Sequence, residues 1–129
     1  MSKSIIIYHS QSGNTKKIAD MIQKAVCGEM ASVAESVSLA DFDTVFIGTP
    51  NWSGTATPDV KGFLGSCDLS GKTVVPFCTH GMGGLQNIAT DITALCPSSD
   101  VKACFAIKGA EADGAEGSVR AWLTEIGLL

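Results

Sequence analysis

Six consecutive residues, Ser10-Gln11-Ser12-Gly13-Asn14-Thr15, gather hydroxyls, amides and a glycine between a β-branched run and the apolar periodicity of a helix. A helix N-terminus carries unpaired N–H groups and about half a positive charge, so this loop suits a phosphate without any lysine. The same residue types also serve as a helix cap, with Ser12 or Asn14 as the capping side chain. Two further loops have similar character. Pro50-Asn51-Trp52-Ser53-Gly54-Thr55 places an indole among turn-forming and polar residues, away from any apolar stripe. Residues 79–84 set Gly81, Gly83 and Gly84 around Thr79, His80 and Met82, and glycines let a ligand approach backbone N–H groups closely. His80 is either a hydrogen-bonding group that charges near neutral pH or a solvated loop histidine.

These loops need a frame that brings them together. β-branched and apolar runs predict strands at 4–9, 32–37, 44–49, 73–78 and 103–107, the second one weak and at an edge because it holds Glu35. Pro76 within the fourth run counts against a central strand, since proline donates no ladder bond. Helical spacing marks 18–26, a short helix over 59–65, then 85–95 and 119–126. Trp122 falls on the apolar stripe of the last helix and reads as core. Strands alternating with helices predict an α/β fold with a parallel sheet covered on both faces. In such sheets ligands sit beyond the carboxyl ends of the strands, where strand order reverses, and the three polar loops follow the first, third and fourth strands.

Composition narrows the partners. The chain has 129 residues, 45% hydrophobic and 17% charged, which predicts one domain over 1–129 with its own core. Its formal charge of −4 and the absence of a basic run longer than Lys16-Lys17 argue against nucleic acid and anionic membranes. The N-terminal apolar run, four residues from Ile5 to Tyr8, is too short for a signal or a span, so a cytoplasmic location is expected. Five cysteines, at 27, 67, 78, 96 and 104, are odd in number and form no Cys-x-x-Cys pair, so they read as reduced and mostly buried thiols, with no metal site.

Ser10 to Thr15, directly after a strand ending in Tyr8-His9, resembles the phosphate loop of flavodoxins, written [ST]-x-[ST]-G-x-T, at every fixed position. The segment from Gly48 through Pro58 resembles the flavin-ring loop, and residues 77–84 resemble the third FMN loop of short flavodoxin-like proteins. The resemblance implies a three-layer α/β/α sandwich on a five-stranded parallel sheet of order 2-1-3-4-5. It also implies FMN as cofactor, held by Ser10, Gln11, Ser12, Gly13, Asn14 and Thr15 at the phosphate. Pro50, Asn51, Trp52, Ser53, Gly54 and Thr55 would line the ring, and Cys78, Thr79, His80, Gly81, Gly83 and Gly84 its polar edge. Trp52 would stand on the ring face, and the Ser53–Gly54 or Gly54–Thr55 peptide would turn a carbonyl toward the flavin on reduction.

Two features depart from the family pattern. No second aromatic stands in the loops, and Ser53 occupies a position where close relatives often have one. Few acids lie nearby: Asp59 after the second loop, and Glu111, Asp113 and Glu116 after the last strand. The resemblance implies a monomeric electron carrier that works between redox partner proteins, a reductase and an acceptor. The open ring face keeps a second reading: an FMN-dependent NAD(P)H oxidoreductase acting on a quinone or similar acceptor. Other nucleotide and phosphate folds do not match. The first loop lacks G-x-G-x-x-G, and Gly71-Lys72-Thr73 imitates a Walker A ending with Ser66 where a glycine is required.

Overall fold

The computed structural model describes residues 3–10, 13–35, 37–81, 83–84 and 86–129. Alternation of strand and helix runs through the chain as β1 (Ser4–Tyr8), α1 (Asn14–Val26), β2 (Glu29–Ser32), β3 (Thr44–Pro50), α2 (Pro58–Ser66), β4 (Thr73–His80), α3 (Ile88–Leu95), β5 (Asp100–Val101), β6 (Phe105–Lys108) and α4 (Glu116–Glu125). A 3₁₀ turn, Gly109–Gly114, joins β6 to α4. All strand pairs are parallel, in the order β2-β1-β3-β4-β5, with β6 also on β4.

Side-chain alternation divides the core into two layers. Ile5, Ile7, Val45 and Ile47 pack under Val60 and Leu64 of α2 and Ile88 and Ile92 of α3. Ile6 and Phe46 point the other way, against Ile18 and Ile22 of α1 and Val119, Trp122 and Leu123 of α4. β3 is buried along nearly its whole length, as a central parallel strand with helices on both faces must be. Among the described residues no helix is long and apolar enough to cross a membrane.

The fifth strand differs from the expected single run over 103–107. It is split into β5, which pairs with Thr73 and Val74, and β6, which pairs with Phe77 through His80. The gap lies opposite Pro76, and the geometry explains it. Val74 accepts from the Lys102 N–H at 2.9 Å, so the β5 side is where Val74 points its polar groups. Two residues on, Pro76 faces the same side with no N–H to give. β4 therefore stays central, and its neighbour breaks instead. Trp122, 8% exposed, donates its indole N–H to the Ala103 carbonyl within the gap at 3.0 Å.

β2 also differs from expectation, at Glu29–Ser32 rather than 32–37. Cys27 closes α1 in the left-handed region at φ 56°, and Gly28 then passes so close to β1 that a Cβ would lie 2.9 Å from the Ser4 carbonyl. The chain thus enters the sheet at once. Val33 adds one more bond to Tyr8, after which the Glu35 carboxylate accepts from the Ser32 N–H at 2.6 Å and the strand ends. The third helix begins at Ile88 rather than 85, and Leu85 lies outside the described residues. Cysteine burial is mixed: Cys78 and Cys96 are buried, Cys67 and Cys104 partly so, and Cys27 is exposed.

Candidate functional site

Parallel pairing of β1, β3 and β4 brings their carboxyl ends together, so the three polar loops converge at one end of the sheet. β1 lies between β2 and β3, and this is where strand order reverses. A cavity of about 300 Å³ opens there, with Asn14, Asn51, Trp52, Thr79 and His80 on its walls together with Pro50, Gly81, Gly109 and Ala110. That volume is at the small end of about 300–1,000 Å³ usual for ligand sites. A larger cavity, about 800 Å³, lies away from the loops between the β2–β3 connection and α2.

In the first loop the capping group among the described residues is Ser10 rather than Asn14. Gly13 is the N-cap residue at φ 92°, and the Ser10 hydroxyl accepts from the N–H groups of Gly13 at 3.1 Å and Lys16 at 3.3 Å. Asn14 instead turns its amide toward Gly109, where a Cβ would come within 2.5 Å of Nδ2. Thr15 is buried, and its hydroxyl meets that of Thr79 on β4 at 2.7 Å. Gln11 and Ser12 lie outside the described residues. The first turn of α1 carries no acidic residue, which leaves the helix dipole unopposed there.

The second loop is a two-residue hairpin. Trp52 and Thr55 exchange backbone bonds at 3.0 and 3.2 Å, and the residues between them, Ser53 at φ 56° and Gly54 at φ 88°, both have positive φ as an I′ turn requires. Asn51 anchors this hairpin: its Oδ1 accepts from the Gly54 N–H at 2.8 Å, while Nδ2 donates to the Gly84 carbonyl at 2.8 Å and to Gln86 Oε1 at 2.9 Å. The Gly54 carbonyl accepts from the Asn87 N–H at 2.9 Å, and the Thr55 hydroxyl donates to the Asp91 carboxylate. Gln86 and Asn87 thus tie the second loop to the third, a role that the sequence signalled only by their position after the glycines.

In the third loop Thr79 and His80 end β4, and Gly81 and Gly83 are exposed. Met82 lies outside the described residues. His80 Nδ1 is the one buried side-chain polar atom among the described residues without a hydrogen-bond partner. Cys78 does not line the cavity. It faces the core, where its interaction with the Cys104 thiol lowers its own proton affinity and raises that of Cys104.

His9, just after β1, is a contact the sequence reading passed over. Its ring meets Trp52 edge-on, centroids 5.4 Å apart at 73°, with Nδ1 2.9 Å from the Thr57 hydroxyl and Nε2 3.5 Å from Asp59. Of the four acids expected nearby, Asp59 therefore faces His9, Asp113 pairs with Lys17 at 2.9 Å and Glu116 with Lys24 at 3.5 Å. None of the described residues lining the cavity is acidic.

Residues 28–126 match the family model described as Flavodoxin. The chain is 36% identical over 87 residues to the flavodoxin of Synechocystis sp., a match covering 60% of this chain and 51% of that protein. It thus spans about half the length of that curated relative. Among solved structures it is similar to a "putative flavoprotein" from Bacteroides eggerthii, with a TM-score of 0.83, 26% identity and 98% of each chain covered. A flavoprotein from Lactobacillus acidophilus, solved in complex with FMN, superposes with a TM-score of 0.70 at 20% identity over 88% of this chain and 98% of that one.

Proposed function

Because the chain belongs to the flavodoxin family, we propose that it binds FMN in the cavity beyond β1, β3 and β4 and carries electrons between redox partner proteins, a reductase and an acceptor. The observation that carries this reading is the convergence of the three loops on one cavity, bounded by an exposed indole and by His80, whose Nδ1 is buried without a partner. The donor set fits the group. An acid-free helix start suits its phosphate, a flat indole its ring, and the glycine-rich third loop its polar edge.

FMN, when bound, supplies the capacity to accept and release electrons singly or in pairs. The protein's part is to hold and tune it. Ser10, Gln11, Ser12, Gly13, Asn14 and Thr15 take the phosphate end, with Ser10 and the α1 N–H groups as donors. Pro50, Asn51, Trp52, Ser53, Gly54 and Thr55 form the ring-side wall, Trp52 giving the contact area. Thr79, His80, Gly81, Gly83 and Gly84 face the polar edge, and Cys78 supports them from the core.

Of the two peptides in the hairpin, Gly54–Thr55 is tied at both ends, through the Asn87 N–H on its carbonyl and the Trp52 carbonyl on its N–H. Ser53–Gly54 is held at its N–H by Asn51. Ser53–Gly54 is therefore the less restrained peptide, and its carbonyl would be the one available to bound FMN. The work is that of a monomer in the cytoplasm.

The test is titration of the chain with FMN, then stepwise anaerobic reduction followed by absorption. Quenched flavin fluorescence on binding and a long-wavelength band at half reduction support a carrier. No binding overturns the proposal. The acid-free cavity favours one alternative, an FMN-dependent NAD(P)H oxidoreductase acting on a quinone or similar acceptor, because nothing negative opposes a fully reduced, anionic ring. NAD(P)H oxidation by the FMN form well above the rate of free FMN would establish that reading.

A further inference from the structure

We propose that His9 is the positioning residue of the site: it sets the pose of the Trp52 indole and couples it to the start of α2. Trp52 has its backbone fixed by the hairpin bonds to Thr55, but the residue is 39% exposed. Among the described residues its one aromatic neighbour is His9.

His9 is itself held by its backbone and its ring. Its backbone N–H donates to the Gly48 carbonyl at 3.0 Å. Thr57, fully buried, caps α2 by accepting from the Val60 N–H at 3.4 Å, so its hydroxyl proton is available for His9 Nδ1 at 2.9 Å. That assignment leaves the imidazole proton on Nε2, facing the Asp59 carboxylate at 3.5 Å. Thr57 is in turn fixed to β3, its N–H donating to the Thr49 hydroxyl at 3.1 Å.

Hydrogen-bonded at Nδ1 and with Nε2 3.5 Å from a carboxylate, the ring meets the indole at 73°. His9 is not on the wall of the cavity that Trp52 lines, and with Ser10, Gly13 and Lys16 it borders a neighbouring one of about 600 Å³. Its effect on a bound flavin passes through Trp52, a part of the inference that rests on the FMN reading above.

The experiment has two readouts. In ¹⁵N-labelled protein, with and without FMN, His9→Leu should shift the indole Nε1–H signal of Trp52 and leave that of Trp122 in place. His9→Phe, which keeps a ring edge but no anchors, should shift it less. The second readout is the FMN dissociation constant in a cycle of His9→Leu and Trp52→Ala. His9→Leu should weaken binding by about two- to tenfold when Trp52 is present, the range of one edge-to-face aromatic contact, and by less than about twofold in the Trp52→Ala chain. An unmoved Trp52 signal, or equal loss in both backgrounds, overturns the proposal. If His9→Leu does not fold, His9→Asn, which keeps a polar anchor without the ring, takes its place under the same criteria. If the native chain binds no FMN, the flavin reading fails, while the indole shift still decides whether His9 holds Trp52.

Discussion

The hydroxyls of Thr15 and Thr79 meet at 2.7 Å in the interior, joining the first turn of α1 to the end of β4. The first and third loops are thereby held at a fixed separation by residues 64 positions apart in sequence. Replacing either threonine with valine keeps the shape but leaves the other buried hydroxyl without this partner, at a cost of about 1–3 kcal/mol. Replacing both should restore most of that loss, because two apolar groups leave nothing unsatisfied. Urea midpoints of the two single variants and the double variant check this. A double variant as unstable as the sum of the singles would mean that the hydroxyls serve other partners.

The hairpin predicts opposite signs at adjacent positions. Gly54→Ala forces a Cβ onto φ 88° and should lower stability by about 1 kcal/mol. Ser53→Gly relieves a left-handed serine at φ 56°, and the relief, about 1–2 kcal/mol, exceeds the entropy that glycine loses, about 0.5–1 kcal/mol. Thermal unfolding of the two variants should therefore move in opposite directions.

His80 predicts a trade between stability and binding. His80→Phe removes a buried nitrogen that has no partner, a group whose isolation costs about 1–3 kcal/mol, so the FMN-free chain should be at least as stable as the native one. FMN affinity should fall at the same time if His80 hydrogen-bonds the flavin. Melting curves of the FMN-free chain and a fluorescence titration with FMN measure both. An unchanged affinity would remove His80 from the site.

Stability should decline on the alkaline side. Burial, helped by the Asp68 carboxylate, raises the proton affinity of Cys67, and burial with Cys67 nearby raises that of Cys96. Unfolded thiols ionise near pH about 8.5, whereas these two keep their protons longer when folded. Above that pH the folded state binds more protons than the unfolded one, so stability falls as pH rises through the window up to the folded-state values. Denaturation between pH 7 and 10 should show this slope, and Cys67→Ala and Cys96→Ala should each flatten it.

Much of this arrangement was legible in the residues. Ile18 and Ile22 named the buried face of α1, and the polar loops after the first, third and fourth strands located the cavity before any coordinates did. What escaped was set by long-range geometry. Val33 and Val37 drew the second strand too far along the chain, because the close pass of Gly28 over Ser4, which starts β2 early, leaves no local trace. Asn14 is as good a choice of cap as Ser10 by residue type, and only the placement of the Ser10 hydroxyl against the Gly13 and Lys16 N–H groups selects Ser10. The sheet position of His9 could be read, but its hydrogen bond to Thr57 and its contact with Asp59 reach across 48 and 50 residues and depend on how α2 docks.

Pro76 has a consequence for encounters between molecules. An unbroken strand from residue 100 to residue 108 would offer other chains a long outer row of backbone donors and acceptors, the template on which sheets grow edge to edge. The proline divides that row into pieces of two and four residues. The opposite edge, β2, is only four residues long and begins with an exposed glutamate. A residue that removes a donor from the middle of the sheet thus leaves its margin a poor place for a second copy to add a strand, which protects a small, hydrophobic chain from its own kind.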